Sequence, residues 1–168
     1  KTRLLHALQA AGAQVLDLEG LARHRSSVLG AIPGTPQPTQ KHFDMLIWDA
    51  LRRLDNTRPV YVESESKKVG NVSIPTALVE RMRASPCLDL TLPMSERVAL
   101  LMEDYACFVH DHTHFCDRLD VLTVQRGKAV IEAWKAQVRN NAIEPVVQEL
   151  LELHYDPVYL QSMQRNFV

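Results

Sequence analysis

The order of helical and extended patterns along the chain is the feature that most constrains its fold. Apolar residues recur at helical spacing in three segments of the first half, and a short stretch with strand character follows each of them. Strands that alternate with helices imply a parallel sheet. We therefore predict an α/β fold, with a three-stranded parallel sheet flanked by helices. The predicted helices and strands alternate over residues 3–11, 14–18, 43–54, 59–65, 75–85 and 87–92.

The second half of the chain carries helical patterns only. Ser95 is the predicted N-cap of the first of these helices. The change of pattern predicts two parts. An α/β core is expected over residues 1–93, and a C-terminal helical bundle packed on it is expected over residues 94–168.

The composition excludes several classes of protein. The chain of 168 residues is 46% hydrophobic and 23% charged, and no apolar run approaches the roughly 20 residues of a membrane helix. We therefore expect neither a membrane span nor a signal peptide. Three cysteines without CxxC spacing argue against a disulfide framework, so the cytoplasm is the expected location. A net charge of -1 means that any contact with RNA must come from a local patch.

A long segment over residues 27–40 interrupts the alternation. It holds three prolines, which fix φ and remove hydrogen-bond donors, so regular structure is not expected there. Loops of this length inside a compact domain usually serve as lids or binding segments, or are disordered.

Acidic residues follow the first two predicted strands. Asp17 and Glu19 lie at the end of one strand, and Glu63 and Glu65 at the end of the next. Ligands of open α/β sheets bind at the carboxyl ends of the strands, where acids can hold magnesium or accept a proton. The alternative is that these acids are solvated or paired with lysine.

A basic segment comes shortly after the first pair of acids. Arg23 and Arg25 flank His24, and Ser27 lies close by. Guanidinium groups beside an imidazole and hydroxyls suit the binding of phosphate or diphosphate oxygens. The alternative is a basic turn at the surface.

The dipeptide Lys1-Thr2 comes immediately before a leucine-rich helix, a glycine and a strand. This is the context in which a Gly-x-x-x-x-Gly-Lys-Ser/Thr loop ends, with the lysine on the outer phosphates and the hydroxyl on magnesium. The alternative is an ordinary helix start.

Cysteine and histidine residues crowd into one short segment, and both are zinc ligands. Their spacing fits no structural zinc pattern, and both cysteines fall in apolar helical stretches, so no metal site is predicted. The residues of this weak zinc candidate are Cys107, His110, His112, His114 and Cys116.

With these residues in view, the chain resembles the C-terminal P-loop-type domain of bacterial tRNA 2-selenouridine synthase, the tRNA 2-thiouridine selenotransferase family. The stretches that carry the resemblance are residues 17–27, 37–43, 58–70 and 154–159. They span nearly the whole chain, and none of them belongs to generic P-loop kinases.

The resemblance implies a P-loop NTPase-like domain whose Walker A loop ends in Gly-Lys-Thr. Lys1 and Thr2 would be the last two residues of that loop, so that the chain would begin inside it. The resemblance also implies an N-terminal rhodanese-like domain in the same protein, which carries the cysteine for selenium transfer. No catalytic residue is then expected in this chain, and the chain alone is expected to be inactive in selenation.

The implied reaction modifies the wobble uridine of certain tRNAs. The 2-thiouridine is S-geranylated from geranyl diphosphate, and the geranylthio group is replaced by selenium from selenophosphate. The implied partner is tRNA. Magnesium is a possible cofactor, while the use of ATP and the oligomeric state stay open.

The resemblance also implies roles for individual residues. Phosphate or diphosphate binding would fall to Lys1, Thr2, Arg23, His24, Arg25 and Ser27. Magnesium or polar groups would be positioned by Asp17, Glu19, Glu63 and Glu65. Contacts with substrate or tRNA would be made by Gln37, Gln40, Lys41, Ser66 and Lys67.

Two positions depart from the family pattern. Ser26 lies where the family usually has glycine, which puts in doubt any close backbone approach that glycine would permit. Lys67 lies where the family often has arginine, which matters only if a bidentate contact is needed.

Two other functions stay open on the sequence. One is a stand-alone P-loop phosphotransferase with ATP as donor and Asp17 as general base. The other is a non-catalytic module that docks tRNA and has no affinity for nucleotide or diphosphate.

Overall fold

Two short strands pair in parallel in the N-terminal half of the protein. A computed structural model describes residues 1–64 and 66–166. In it β1 (Gln14–Leu16) lies beside β2 (Val60–Val62), with Leu16 opposite Val62. Parallel strands need a long crossover connection, and helices supply it here. The predicted combination of helices with a small parallel sheet is confirmed.

The chain divides into two compact units, Lys1–Cys87 and Leu88–Val168. In the first unit the two strands are joined by helices and by the long loop, and a small hairpin follows. The elements of this unit, in chain order, are α1 (Thr2–Ala10), β1, α2 (Leu18–Ala22), α3 (Gln40–Leu51), β2, β3 (Lys68–Val69), β4 (Val72–Ser73) and α4 (Thr76–Arg83).

The first strand ends earlier than predicted because Asp17 caps a helix. Its side chain accepts a 2.7 Å hydrogen bond from the backbone N–H of Gly20, which satisfies one of the donors exposed at the start of α2. Glu19 and Gly20 both lie in α2. The predicted strand over residues 14–18 is shortened to β1.

The core of the first unit lies between the strands, α2, α3 and the hairpin. Phe43 and Leu18 are fully buried in it. Burial of one such side chain stabilises a fold by about 1.5–3 kcal/mol. Phe43 and Ile47 belong to the apolar stripe that predicts α3, so the predicted helix is confirmed.

The hairpin of β3 and β4 was not predicted. The strands are antiparallel, with Val69 opposite Val72, and Gly70 in the turn has a φ of +60°. A Gly-Asn pair between two valines is a signal for this turn. It is a weak signal here, because each strand has two residues.

The third predicted strand, over residues 87–92, is wrong. This segment has no regular structure, and Leu88, Leu90 and Leu92 are 73%, 50% and 51% exposed. Within the described residues, no third strand pairs with β1 or β2. Alternating leucines predict a strand only where a core covers one face and a partner strand supplies hydrogen bonds.

The second unit consists of helices and their connections in the part that the structure describes. Its first helix begins at Met94, with Pro93 as the flanking residue, so Ser95 lies inside the first turn and the predicted cap is wrong. No described helix is long and apolar enough to cross a membrane. The elements are α5 (Met94–Asp104), α6 (Ala106–His110), α7 (His112–Leu119), a 3-10 turn (Asp120–Leu122), α8 (Thr123–Arg126), α9 (Lys128–Arg139), α10 (Ile143–Leu150), a π-helical turn (Leu151–Tyr155) and α11 (Asp156–Asn166).

Trp134 is a fully buried core residue of the second unit. Its Nε1 donates a 2.7 Å hydrogen bond to Glu149. Lys135 is also buried and pairs with Asp120, which raises the pKa of its ammonium group through their hydrogen bond. A buried polar group is tolerated when it has such a partner.

Candidate functional site

The carboxyl ends of β1 and β2 lie at one edge of the small sheet. Asp17 directly follows Leu16, and Glu63 directly follows Val62, which is opposite Leu16 in the register. Glu63 is 3% exposed, and its Oε1 accepts a 3.2 Å hydrogen bond from the backbone N–H of Glu19. Three of the four predicted acids therefore lie close together at this edge. Glu65 lies outside the described residues.

Helix α1 contributes two side chains to the same edge. The Thr2 hydroxyl donates a 3.0 Å hydrogen bond to Glu19 Oε2. His6, one helical turn later, lies with Nε2 3.0 Å from Asp17 Oδ2. Lys1 is the N-cap of this helix, and its carbonyl accepts a 3.1 Å hydrogen bond from the backbone N–H of Leu5.

His6 was missed in the sequence analysis. It is an exposed histidine with no motif around it, and only its spacing of four residues from Thr2 places both on one face of α1. The spacing becomes informative only once Asp17 and Glu19 are known to lie against that face.

The acids do not form a ready-made cation site. Asp17 receives hydrogen bonds from the backbone of Gly20 and contacts His6, and Glu19 receives one from Thr2. Among the described residues, no group of three or more histidine, cysteine, aspartate or glutamate side chains could hold a metal ion. A role of these acids in positioning magnesium, directly or through water, stays a prediction.

The predicted basic segment follows α2. Arg23 ends the helix in the left-handed conformation, with a φ of 52°, and its side chain is exposed. Arg25 is half-buried, and its backbone N–H donates a 2.9 Å hydrogen bond to the carbonyl of Gly30. His24 pairs with Ala31 across the loop. The basic segment is therefore one side of a closed loop over residues 23–31.

His24 supports this loop from inside. It is 9% exposed, and its Nδ1 accepts a 3.1 Å hydrogen bond from the N–H of Ser26. That acceptor role requires the proton of a neutral ring to be on Nε2. Nδ1 is thus engaged by the backbone, and a phosphate contact by His24 stays a prediction for its other nitrogen.

Ser26, which lies where the family usually has glycine, adopts a backbone conformation that favours glycine. Its φ is +50°, in the left-handed region that glycine adopts without steric cost. Ser27 lies half-buried in the same loop, and its carbonyl accepts from the N–H of Gly30. A methyl group on Gly30 would come within 2.8 Å of the Ser27 nitrogen, so the loop is tightly closed there.

The predicted contacts of Gln37 and Gln40 with substrate or tRNA meet a competing role. Gln37 Nε2 donates to the carbonyls of Ala22 (3.1 Å) and Val69 (3.0 Å). Gln40 donates to the carbonyl of Ser73 and accepts from its N–H, both at 2.8 Å. Both side-chain amides thus bind the backbone of their own fold.

The other predicted contact residues lie at the surface. Lys41, Ser66 and Lys67 are exposed. The Ser66 hydroxyl donates a 2.7 Å hydrogen bond to the carbonyl of Lys68 and so shapes the entry to the hairpin. Contacts of these side chains with substrate or tRNA stay predictions.

The weak zinc candidate is not assembled in the second unit. Cys116 is buried, with its Sγ directed at the carbonyl of Lys135, and burial raises the pKa of its thiol. His114 packs against the ring of Phe108. Asp111 ends α6 and caps α7, so the chain turns in the middle of the segment. The structure separates these side chains because they belong to two different helices.

Comparison with known proteins identifies the family. A family model described as the tRNA 2-selenouridine synthase AAA domain matches residues 1–122. Such a domain agrees with the helices and the small parallel sheet of the first unit. No solved structure matches the chain.

Curated relatives with the name tRNA 2-selenouridine synthase match nearly the whole chain. The relative from Sulfurovum sp. is 33% identical over 99% of this chain and 52% of its own length. The relative from Hydrogenovibrio crunogenus is 37% identical over 99% of this chain and 50% of its own length. The relative from Marinobacter nauticus is 29% identical over 95% of this chain and 50% of its own length. The chain thus spans about half the length of these relatives, and, since the family model matches most of it, it belongs to the tRNA 2-selenouridine synthase AAA-domain family.

Proposed function

We propose that this chain is the diphosphate- and tRNA-binding part of a tRNA 2-selenouridine synthase. The whole enzyme would S-geranylate 2-thiouridine at the tRNA wobble position and then replace the geranylthio group with selenium from selenophosphate. A rhodanese-like domain of the same protein would carry the cysteine for selenium transfer. The family membership supports the proposal most strongly.

The arrangement at the sheet edge gives physical support. Ligands of open α/β sheets bind where strands end, and this edge gathers a threonine hydroxyl, an imidazole and carboxylates. The Thr2 hydroxyl lies at the start of α1, where the N-terminus of a helix favours negative charge. Lys1 and Thr2 would therefore bind phosphate oxygens at this edge as the last residues of a phosphate loop.

The closed loop over residues 23–31 would supply the second half of the diphosphate site. Arg23 is exposed and Arg25 is half-buried, and the backbone that carries both is closed by the hydrogen bond from the Arg25 backbone N–H to the carbonyl of Gly30. Hydrogen bonds from guanidinium groups to phosphate oxygens are charge-assisted and geometrically specific. Lys41, Ser66 and Lys67 would contact the RNA. Roles for magnesium and ATP stay predictions.

The rival function of a phosphotransferase has less support. In that function Asp17 would be the general base and would need an accessible carboxylate. Instead, Asp17 caps α2 through the N–H of Gly20 and lies 3.0 Å from His6. Removal of this carboxylate would first disturb a helix cap.

The rival function of a docking module makes a different prediction. Such a module would bind RNA with a steep salt dependence and would bind no diphosphate. The loop with Arg23 and Arg25 supports diphosphate binding, because its backbone is fixed by the hydrogen bond from the Arg25 backbone N–H to the Gly30 carbonyl, and side chains on a fixed backbone lose less freedom when they bind an anion.

The experiment that tests the function follows the wobble nucleoside. The whole enzyme, with its rhodanese-like domain, is incubated with 2-thiolated tRNA, geranyl diphosphate and selenophosphate, and the masses of the separated nucleosides are measured by mass spectrometry. We expect masses for the S-geranylated and then the selenium-containing nucleoside. An unchanged nucleoside would overturn the proposed activity, and phosphoryl transfer to a small acceptor in the same preparation would favour the phosphotransferase.

A further inference from the structure

Gln37 joins two parts of the first unit that are distant in sequence. Its side-chain amide donates to the carbonyl of Ala22, the last residue of α2, and to the carbonyl of Val69 in β3. Its Oε1 accepts a 2.8 Å hydrogen bond from the N–H of Asn71 in the hairpin turn. One amide thus satisfies three backbone groups on two segments.

Gly70 brings the hairpin turn into direct contact with this amide. A Cβ atom at Gly70 would lie 2.2 Å from Gln37 Oε1 and 2.8 Å from His24 Cδ2. Any side chain there would push the amide and the imidazole away. The absence of a side chain at Gly70 therefore permits the close packing of the turn against Gln37 and against the loop over residues 23–31.

Both of the joined segments carry cations. The carbonyl of Ala22 is followed at once by Arg23 and then by Arg25. The hairpin is entered through Lys67 and Lys68, which are exposed. We call the loop over residues 23–31 the arginine loop, and the hairpin of β3 and β4 together with Lys67 the lysine hairpin. The spacing between them depends on the hydrogen bonds of Gln37.

We propose that Gln37 is a positioning residue that holds the arginine loop and the lysine hairpin in one fixed arrangement, so that Lys67 and Lys68 bind RNA phosphates beside the diphosphate that Arg23 and Arg25 would bind. The inference rests on the proposed function and adds a residue that fixes the relative position of the two cationic segments. A preorganised set of cations binds a polyanion more tightly than the same cations on independent segments, because less freedom is lost on binding. Gln37 itself touches no phosphate in this account.

The chain supplies a matched control in Gln40. Its amide also makes a pair of hydrogen bonds to the hairpin backbone, to the carbonyl and N–H of Ser73. Its Nε2 also donates a 2.8 Å hydrogen bond to Asp44 in the same helix, α3. Unlike Gln37, Gln40 has no hydrogen bond to the end of α2 among those described. Loss of Gln40 removes hairpin contacts without releasing the arginine loop.

The test measures how tRNA affinity falls with salt. The slope of log affinity against log salt counts the phosphates contacted, with about 0.7–0.9 for each. Gln37→Met keeps the length of the side chain and every cation but removes the amide. Bulk tRNA is the probe, and the variants are Gln37→Met, Gln40→Met and the pair Lys67→Ala with Lys68→Ala. Thermal unfolding is recorded for each to confirm a folded protein.

We expect the double lysine variant to reduce the slope by about 1.5, the value for two phosphates. Gln37→Met should reduce the slope by about the same amount with all charges retained, and the lysine changes should add little in that background. Gln40→Met should leave the slope unchanged. A Gln37→Met slope equal to that of the unaltered protein, with the lysine effect present, would overturn the inference alone.

A failure of the proposed function looks different. In that case the lysine variant would leave both tRNA affinity and slope unchanged in the protein with Gln37 intact. A second variant guards against misfolding of Gln37→Met. Gly70→Ala retains the amide but displaces it, and the inference predicts the same loss of slope for it.

Discussion

Ser26 has a backbone conformation that costs free energy. Its φ of +50° places Cβ close to the neighbouring backbone, a cost of about 1–2 kcal/mol for an L-residue. Ser26→Gly removes this cost but increases the freedom of the unfolded chain, which offsets about 0.5–1 kcal/mol. We expect the variant to be more stable by up to about 1.5 kcal/mol, measured by urea unfolding.

Ser27 is the matched control for this prediction. It lies in the same loop, and its φ is not among the positive ones. Ser27→Gly should therefore lower the free energy of unfolding, by about 0.5–1 kcal/mol through chain entropy. Equal destabilisation by both changes would contradict the strain at Ser26.

His154 makes the stability of the second unit depend on pH. It is buried, and its Nδ1 accepts a 3.2 Å hydrogen bond from Arg126. Burial, and next the charge of Arg126, lower the pKa of His154 from its ordinary value of 6.5. The unfolded chain therefore binds a proton at a pH where the folded protein still resists it.

The sign follows from this difference. The stabilisation by neutral His154 is fully present above about pH 6.5 and is lost as the pH falls through the unfolded pKa toward the lower folded pKa. We expect the midpoint temperature of thermal unfolding to fall on acidification. The midpoint of His154→Asn should fall less steeply over the same pH range. Parallel curves for the two proteins, recorded by thermal unfolding at a series of pH values, would contradict this account.

At the scale of elements, one ion pair ties the beginning of α5 to the beginning of α11. Arg97 donates to both carboxylate oxygens of Asp156, at 2.9 Å and 2.5 Å. The pair is partly solvated, so its contribution is smaller than that of a buried pair. The shared hydrogen bond and charge of Asp156 raise the pKa of Arg97.

Asp156→Asn tests this tie. The variant keeps the shape of the side chain but loses its charge, and we expect it to lower the free energy of unfolding by about 1 kcal/mol, measured in urea. Asp49→Asn is the control, because Asp49 pairs with Arg52 and Arg53 at the solvent-exposed end of α3. The control should lose less stability than Asp156→Asn.

The elements also show how far the sequence predicts the fold. The apolar stripe of α3 and the strand content of β2 are local signals, and both predictions are confirmed. The strand over residues 87–92 failed because its leucines alternate without a core to cover them. The start of α2 was missed because Asp17 was interpreted as the end of a strand rather than as a cap.

The candidate site shows the same division. The order of the chain predicts acids at the ends of two parallel strands, and the register of Leu16 with Val62 places Asp17 and Glu63 side by side. The partners of those acids depend on which helix packs against the strand ends. His6 and the role of Gln37 could not be predicted for that reason, since both act through contacts that are distant in sequence.

At the scale of the whole molecule, family membership and geometry support one account. The first unit gathers α1, the strand ends and the arginine loop in one compact fold, and the family model covers all of it. The central claim is that this unit binds a diphosphate through Arg23 and Arg25. The claim concerns binding, so it is tested without turnover.

The most direct measurement is a calorimetric titration of the protein with geranyl diphosphate. The compared variants are Arg23→Ala with Arg25→Ala, and Arg52→Ala with Arg53→Ala as a control that also removes two guanidinium groups. Each charge-assisted hydrogen bond to an anion contributes about 1.5–3 kcal/mol, so we expect the first variant to bind at least about tenfold more weakly. The control should bind like the unaltered protein. Unchanged affinity in the Arg23 and Arg25 variant would contradict the account.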